Sequence, residues 1–110
     1  MKPQNVILTC TTISASFLPA RFFVGFNGRL AGAGEKALGV TEADTNADSP
    51  APINVLGVML VESGGPIARG EEVEADANAR AVTRESGAMN GTAFDAAVSD
   101  GELIRIVRGI

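Results

Sequence analysis

The chain's 110 residues suffice for one compact domain, and its 45% apolar and 20% charged residues support a folded core. Its net charge of −4, with lysine and arginine scattered along the sequence, lacks the basic patch that binds nucleic acids or anionic membranes. The single cysteine excludes an internal disulfide. These features predict one globular domain, 1–110, without nucleic-acid or membrane partners.

Short apolar runs separated by glycine and proline dominate the sequence, a pattern typical of β-strands joined by turns. Threonine and branched side chains predict a first strand over 5–13, after a flexible tip at 1–4. A second strand over 20–26 ends at the dipeptide 27–28, Asn-Gly, which suits a tight hairpin turn. The short segment 29–31 is then expected to form the returning strand.

In the middle of the chain, a polar segment is followed by the most apolar run of the sequence. After a short predicted strand over 36–41, the segment 41–52 (TEADTNADSPAP) has low hydrophobicity and predicts a long mobile loop. The following run, 53–61, carries apolar side chains on both faces. We expect it to form the central, doubly buried strand of the sheet.

The last third of the chain predicts strands over 71–75, 81–84 and 103–107. Between them, 92–98 is interpreted as one short amphipathic helix, with Thr92 as its cap. The whole pattern predicts an all-β fold, a small barrel or sandwich of about seven short strands with one short helix.

Catalytic chemistry finds little support in the residue types present. The chain has no histidine, the side chain most often used for proton transfer near neutral pH. Cys10 lies within a predicted strand with no base in view, so it is interpreted as a small buried apolar side chain. We therefore predict that the protein is not an enzyme and has no cofactor.

Carboxylates offer two candidate metal sites. Glu72, Glu74 and Asp76 alternate along one strand, which places them on one face, where calcium or a sugar could bind. The favoured interpretation is a solvated strand face compensated by Arg80 and Arg84 on a neighbouring strand.

The second candidate is in the polar loop. Asp44, Asn46 and Asp48 have the spacing of a calcium loop, but Ser49 and Val55 stand where such a loop needs glycine and glutamate. A flexible solvated loop is favoured there, and no metal site is predicted.

From Arg21 onward the chain contains four sequence segments in this order: RFFVGFNGRL, KALGVTEAD, INVLGVMLVESGGPIARGEEVEADANARAV and ELIRIVRG. In the order of these segments, and in the glycine-proline turn before an acidic strand, the chain resembles the capsid cement, or head decoration, proteins of tailed bacteriophages. That family often has glycine where this chain has Ala79.

The resemblance implies a non-enzymatic minor capsid protein that binds the outer surface of a phage head and stabilises the lattice of the major capsid protein. It implies two partners, the major capsid protein and the chain itself as a homotrimer, and assembly on the virion exterior after synthesis in the bacterial cytoplasm. The alternative, from another class, is a small-ligand-binding β-barrel that holds calcium or carbohydrate on the acidic strand face.

The tip and the polar loop have no predicted place in the core, which suits contact with a partner protein. We therefore predict partner contacts at Lys2, Pro3, Gln4, Asn5, Asp44, Asn46, Pro50 and Pro52.

Overall fold

A computed structural model describes residues 2–110, which form an all-β fold and contain no helix. Its eight strands are β1 (Asn5–Ile13), β2 (Phe23–Val24), β3 (Gly39–Thr41), β4 (Pro50–Glu62), β5 (Glu72–Ala75), β6 (Ala81–Thr83), β7 (Gly91–Ala93) and β8 (Leu103–Arg108). All strand pairings are antiparallel, in the order β2-β3-β4-β8-β7-β5-β6, while β1 pairs with β4 outside this path.

The two ends of this path approach each other, so the sheet curls into a nearly closed barrel. Phe23 of β2 donates its N–H to the carbonyl of Ala79, 2.9 Å away in the turn between β5 and β6. Gly64, just after β4, likewise donates to Ala81 of β6 at 2.7 Å. The curled sheet encloses the main core, whose large and fully buried members are Phe23, Val40, Met59, Val61, Val73, Ile104 and Ile106.

The long strand β4 organises the sheet, which confirms the central strand predicted over 53–61. Asn54 pairs with Thr9 of β1 and with Val40 of β3, and Val58 pairs with both β1 and β8. Because a strand has two edges and β1 runs along one of them, β3 and β8 must follow one another along the other edge.

Arg108 lies where β3 and β8 meet along that edge. Its guanidinium donates to the carbonyls of Val55 (2.9 Å), Asn90 (3.3 Å), Ala37 (3.2 Å) and Leu38 (3.2 Å). Burial lowers the pKa of the Arg108 guanidinium below its usual value. The guanidinium thus satisfies backbone acceptors from several segments that meet at this junction.

The helix predicted over 92–98 is wrong. Thr92 lies inside β7, where it pairs with Val107 and Glu72, and the residues after Ala93 form turns. Ala93 and Ala97 are both buried, which mimics the four-residue spacing of a helix. Ala97 is instead held by two backbone hydrogen bonds with Ile67, at 2.9 and 3.0 Å.

The polar segment is shorter than the loop predicted over 41–52. Thr41 ends β3, and β4 already begins at Pro50, so the connection between the two strands spans 42–49. Pro52 accepts a hydrogen bond from the N–H of Glu42 at 3.1 Å, on the edge of β4 that faces away from β1. Proline fits there because β4 loses no hydrogen bond to β1.

The single cysteine has the packing role expected of it, although it is less buried. Cys10 is half-buried and packs against a second, smaller core cluster that contains Leu18, Val24, Ala51 and Ile53. This cluster lies under the second half of β1, whereas Val6 packs against the main core.

Candidate functional site

The outer strand β1 is the most exposed strand of the fold. Its nine residues contain no charge, and none of their side chains is fully buried. Ile7 is 82% exposed and Ile13 is 61% exposed. Among residues 2–110, β4 is the only strand that pairs with β1, so one edge of β1 has no neighbouring strand. An uncharged edge of this kind is a template for pairing with another chain.

A bulge explains why two consecutive apolar residues of β1 face solvent. The pairing register with β4 shifts on both sides of Leu8, so Ile7 and Leu8 do not alternate between core and solvent. Opposite this point, Gly57 has a φ of 109°. A Cβ there would collide with the carbonyl oxygen of Asn5. Glycine at this position therefore lets β1 approach β4 closely.

Neighbouring side chains extend this surface. Leu8 pairs with Leu56, which is 37% exposed, and Gly109 lies beside the Leu56 side chain. Ile110 follows and is highly exposed. We call Ile7, Leu8, Leu56 and Ile110 the outer apolar patch. Grouped exposed apolar residues mark surfaces that contact other molecules.

The N-terminal tip contacts the barrel. The Gln4 side-chain oxygen accepts the N–H of Leu60 at 2.8 Å and Nη1 of Arg21 at 3.2 Å. Lys2 donates to the carbonyl of Leu103 at 3.0 Å, and its Nζ lies 4.0 Å from Asp95. Gln4 thereby extends the β1–β4 ladder with a side-chain hydrogen bond.

The residues predicted to contact a partner fall into two groups, one towards each end of β1. Asn5 opens β1 opposite Val58, while Pro50 pairs with Ile13 at the far end, about 26 Å away at the usual rise per residue. Lys2, Pro3 and Gln4 lie near Asn5, with Gln4 donating to Glu42 at 3.4 Å. Pro52 pairs with Thr11, and the Asn46 carbonyl accepts the Ser14 hydroxyl at 2.5 Å. Asp44 accepts the N–H of Ala20 at 2.8 Å.

Residues 1–108 match the model of the phage cement protein family. The chain belongs to the phage cement protein family. This match confirms the family that was predicted from the order of the chain's sequence segments. No individual curated protein matches the chain.

In this cement protein the acidic strand face is engaged in internal contacts. Glu72 pairs with Arg84 at 2.8 Å, and Asp76 Oδ1 accepts the N–H of Asn78 at 2.8 Å and of Arg80 at 2.9 Å. Within 2–110, no group of three or more acidic or cysteine residues could hold a metal ion. These internal contacts support the structural interpretation of the acidic face.

Glu74, the middle residue of that face, anchors the loop after β6. Its carboxylate accepts the backbone N–H groups of Glu85 and Gly87. These hydrogen bonds, led by the one from Glu85, lower the pKa of Glu74 below its usual 4.5. Protonation of Glu74 would therefore weaken the attachment of this loop.

Other carboxylates of the cement protein hold loops in the same way. Backbone N–H groups are accepted by Glu35 (from Gly32), Glu71 (from Ala68), Asp95 (from Arg105) and Glu102 (from Val98 and Ser99). The hydrogen bonds to Glu102, led by that of Ser99, lower its pKa. Much of the chain's acidity therefore stabilises its connections.

The sequence contained an unused signal for the outer apolar patch. Val6, Ile7 and Leu8 are three consecutive apolar residues in a strand, so at least one must face away from the core. The absence of charge across 5–13 was a second signal, because exposed edge strands usually carry charges that block pairing.

Within 2–110, no helix is both long and apolar enough to cross a bilayer.

Proposed function

We propose that this cement protein is a non-enzymatic component of the virion that binds the outer surface of a phage head and stabilises the major capsid protein lattice. Family membership supports a cementing role. The observation that carries the proposal is β1, a nine-residue strand with no charge and an unpaired edge in the described structure. The free, uncharged edge of such a strand suits contact with a protein surface.

The proposed mechanism is the sum of many modest contacts. A capsid segment that pairs with the free edge of β1 would gain main-chain hydrogen bonds, and the outer apolar patch would add burial. A homotrimer, which the resemblance implies, would present three such surfaces to subunits whose positions the shell already sets. The second and third contacts would then form at high effective concentration.

The predicted contacts at the tip and polar loop fit this proposal as the two ends of one strip. Asn5 and Pro50 flank β1 at opposite ends, so a capsid surface that covers β1 would also reach residues near both. We propose that the protein is made in the host cytoplasm and attaches to the outside of the assembled shell.

The test is co-sedimentation of purified protein with cognate empty, expanded heads, measured as copies bound per shell at saturation. The wild-type protein is expected to bind at a fixed stoichiometry. Ile7→Lys is expected to lower the affinity, because a lysine would be placed in the uncharged contact. Val98→Lys is the matched control, since Val98 is also 82% exposed but lies in the loop before β8. No saturable binding of the wild-type protein would refute the proposal.

A further inference from the structure

Two asparagines of the chain, Asn27 and Asn90, are followed by glycine. Such a pair can modify itself, because the backbone nitrogen of the glycine can attack the side-chain amide of the asparagine. Glycine favours this reaction because it has no Cβ to keep the two groups apart. The structure places the two pairs in opposite surroundings, so it predicts which of them reacts.

Asn90 is held firmly at the start of β7. It is 3% exposed, and both ends of its side-chain amide are hydrogen-bonded. Its Oδ1 accepts the N–H of Ala37 at 2.9 Å, and its Nδ2 donates to the carbonyl of Glu35 at 3.0 Å. Gly91 belongs to β7, where it pairs with Val73. Attack on this amide would require the strand and both side-chain hydrogen bonds to open.

Asn27 is exposed at the tip of the hairpin that returns from β2 to Leu30. The N–H of Gly25 closes this turn by donating to the carbonyl of Arg29 at 2.8 Å. Within residues 2–110, Nδ2 of Asn27 has no hydrogen-bond acceptor, so this nitrogen is free to leave. The N–H of Gly28 donates to the Gly25 carbonyl at 3.3 Å, which is beyond the usual range. The attacking nitrogen is therefore only weakly restrained.

The same turn supplies a donor to the oxygen that gains charge during the attack. The N–H of Arg29 donates to Oδ1 of Asn27 at 3.0 Å. Attack at Cγ moves negative charge onto Oδ1, and a donor at this distance stabilises that charge. Gly28 has a φ of 78°, and a Cβ there would collide with the carbonyl oxygen of Ile13. The turn thus requires the glycine that makes the reaction possible.

We propose that Asn27 is a site of spontaneous deamidation in the folded protein. The nitrogen of Gly28 forms a bond to Cγ of Asn27, the Cγ–Nδ2 bond breaks, and Nδ2 leaves as ammonia with the proton of the Gly28 N–H. Water then opens the cyclic imide at either carbonyl and gives aspartate or isoaspartate. The inference goes beyond the proposed cementing function, because the reaction does not depend on binding to heads.

Isoaspartate would change the turn more than aspartate, because it adds a methylene to the backbone between residues 27 and 28. The carbonyl of Gly28 accepts the N–H of Ala15 at 2.9 Å, just after β1 ends at Ile13. The longer backbone would displace this hydrogen bond and the one from Gly25 to Arg29. Deamidation should therefore loosen the attachment of the turn to the end of β1.

The experiment follows the mass of the folded protein during incubation at mildly alkaline pH, with peptide mapping to locate each modified asparagine. Deamidation adds about 1 Da to the peptide. Asn27 is expected to react at least about tenfold faster than Asn90, because Asn90 reacts only after part of the wall opens. The rate at Asn27 should rise with pH, because the Gly28 nitrogen attacks after losing its proton.

The chain unfolded in guanidinium chloride is the first control. There the two sites should react at similar rates, because both are asparagines followed by glycine. Asn27→Gln is the matched variant, since glutamine keeps the amide but would have to close a larger ring. The mass gain should disappear from the turn in this variant.

Equal rates at Asn27 and Asn90 in the folded protein would overturn the proposal. An unmodified Asn27 in the folded protein, under conditions in which the unfolded chain reacts there, would overturn it as well. Amide hydrogen exchange at Ala15 and Gly25 should be faster in the modified protein, and unchanged exchange would show that the modified turn keeps its attachment to β1. None of these outcomes affects the cementing proposal.

Discussion

β1 and β8 both pair with β4, on its opposite edges, yet the barrel uses their apolar side chains differently. In β8 every second residue enters the core, and Ile104 and Ile106 have no exposed surface. In β1 the comparable residues Ile7 and Ile13 are mostly exposed. β8 forms part of the barrel wall between β4 and β7, whereas β1 lies outside that path. Apolar residues therefore stabilise the core in one strand and are left exposed to solvent in the other.

The largest expected effect is a direct test of this difference. Ile104→Ala should lower the free energy of unfolding by roughly 2–5 kcal/mol, because it leaves a cavity in the main core. Ile7→Ala should change it by less than about 0.5 kcal/mol, because the side chain is already solvated. Urea denaturation measures both. Similar losses for the two variants would contradict the distinction between wall and outer strand.

The attachment of β1 to β4 should depend on Gly57. Gly57→Ala would strain a φ of 109° and press a methyl group against the Asn5 carbonyl, at a cost of about 1–3 kcal/mol. Amide hydrogen exchange should speed up in β1 while β8 keeps its protection. Gly65→Ala is the control, since a Cβ there would meet nothing within 4 Å. Equal loss of protection in both strands would show that β1 and the wall unfold together.

Low pH should weaken the connection between β7 and β8, because an ion pair attaches that connection to β8. The hydrogen bonds from the Arg105 side chain are the main cause that lowers the pKa of Asp95 from 3.8 to about 2. The folded state thus binds this proton more weakly than the unfolded state. The stabilisation is complete well above pH 3.8 and is lost as the pH falls from 3.8 through 2.

Asp95→Asn should therefore lower the free energy of unfolding by about 1–2 kcal/mol at pH 6, with the difference shrinking towards pH 2. Urea denaturation between pH 2 and 6 measures this. Asp100→Asn is the matched control, since Asp100 is exposed and its pairing distance to Arg80 is 3.7 Å. A pH-independent difference between wild type and Asp95→Asn would argue against the ion pair as the cause.

Most of the longer strands of the fold were predictable from the sequence. Alternation and branched side chains located β1, β4, β5, β6 and β8 to within a few residues, because each strand's own side chains carry that pattern. The helix expected over 92–98 failed because Ala97 is buried through contact with the distant Ile67. A four-residue spacing cannot distinguish that pairing from a helical turn.

The candidate site was less predictable than the wall. The apolar run of β1 looks like a core strand in the sequence, and its outer position depends on a bulge opposite Gly57 and on β8 occupying the other edge of β4. The N-terminal tip brings Lys2 to the carbonyl of Leu103. These two residues are 101 positions apart, so no local pattern could show that they meet.

The smallest expected effect concerns the barrel wall alone. Ala79 has a φ of 63°, and its methyl group is buried in the main core. Ala79→Gly would relieve about 1 kcal/mol of backbone strain but lose a buried methyl group and gain unfolded-state entropy, effects of similar size. The free energy of unfolding should therefore change by less than about 1 kcal/mol in urea denaturation. Head binding should not change, because the substitution leaves β1 and the outer apolar patch intact. Weaker binding would mean that the wall and the proposed contact surface are coupled.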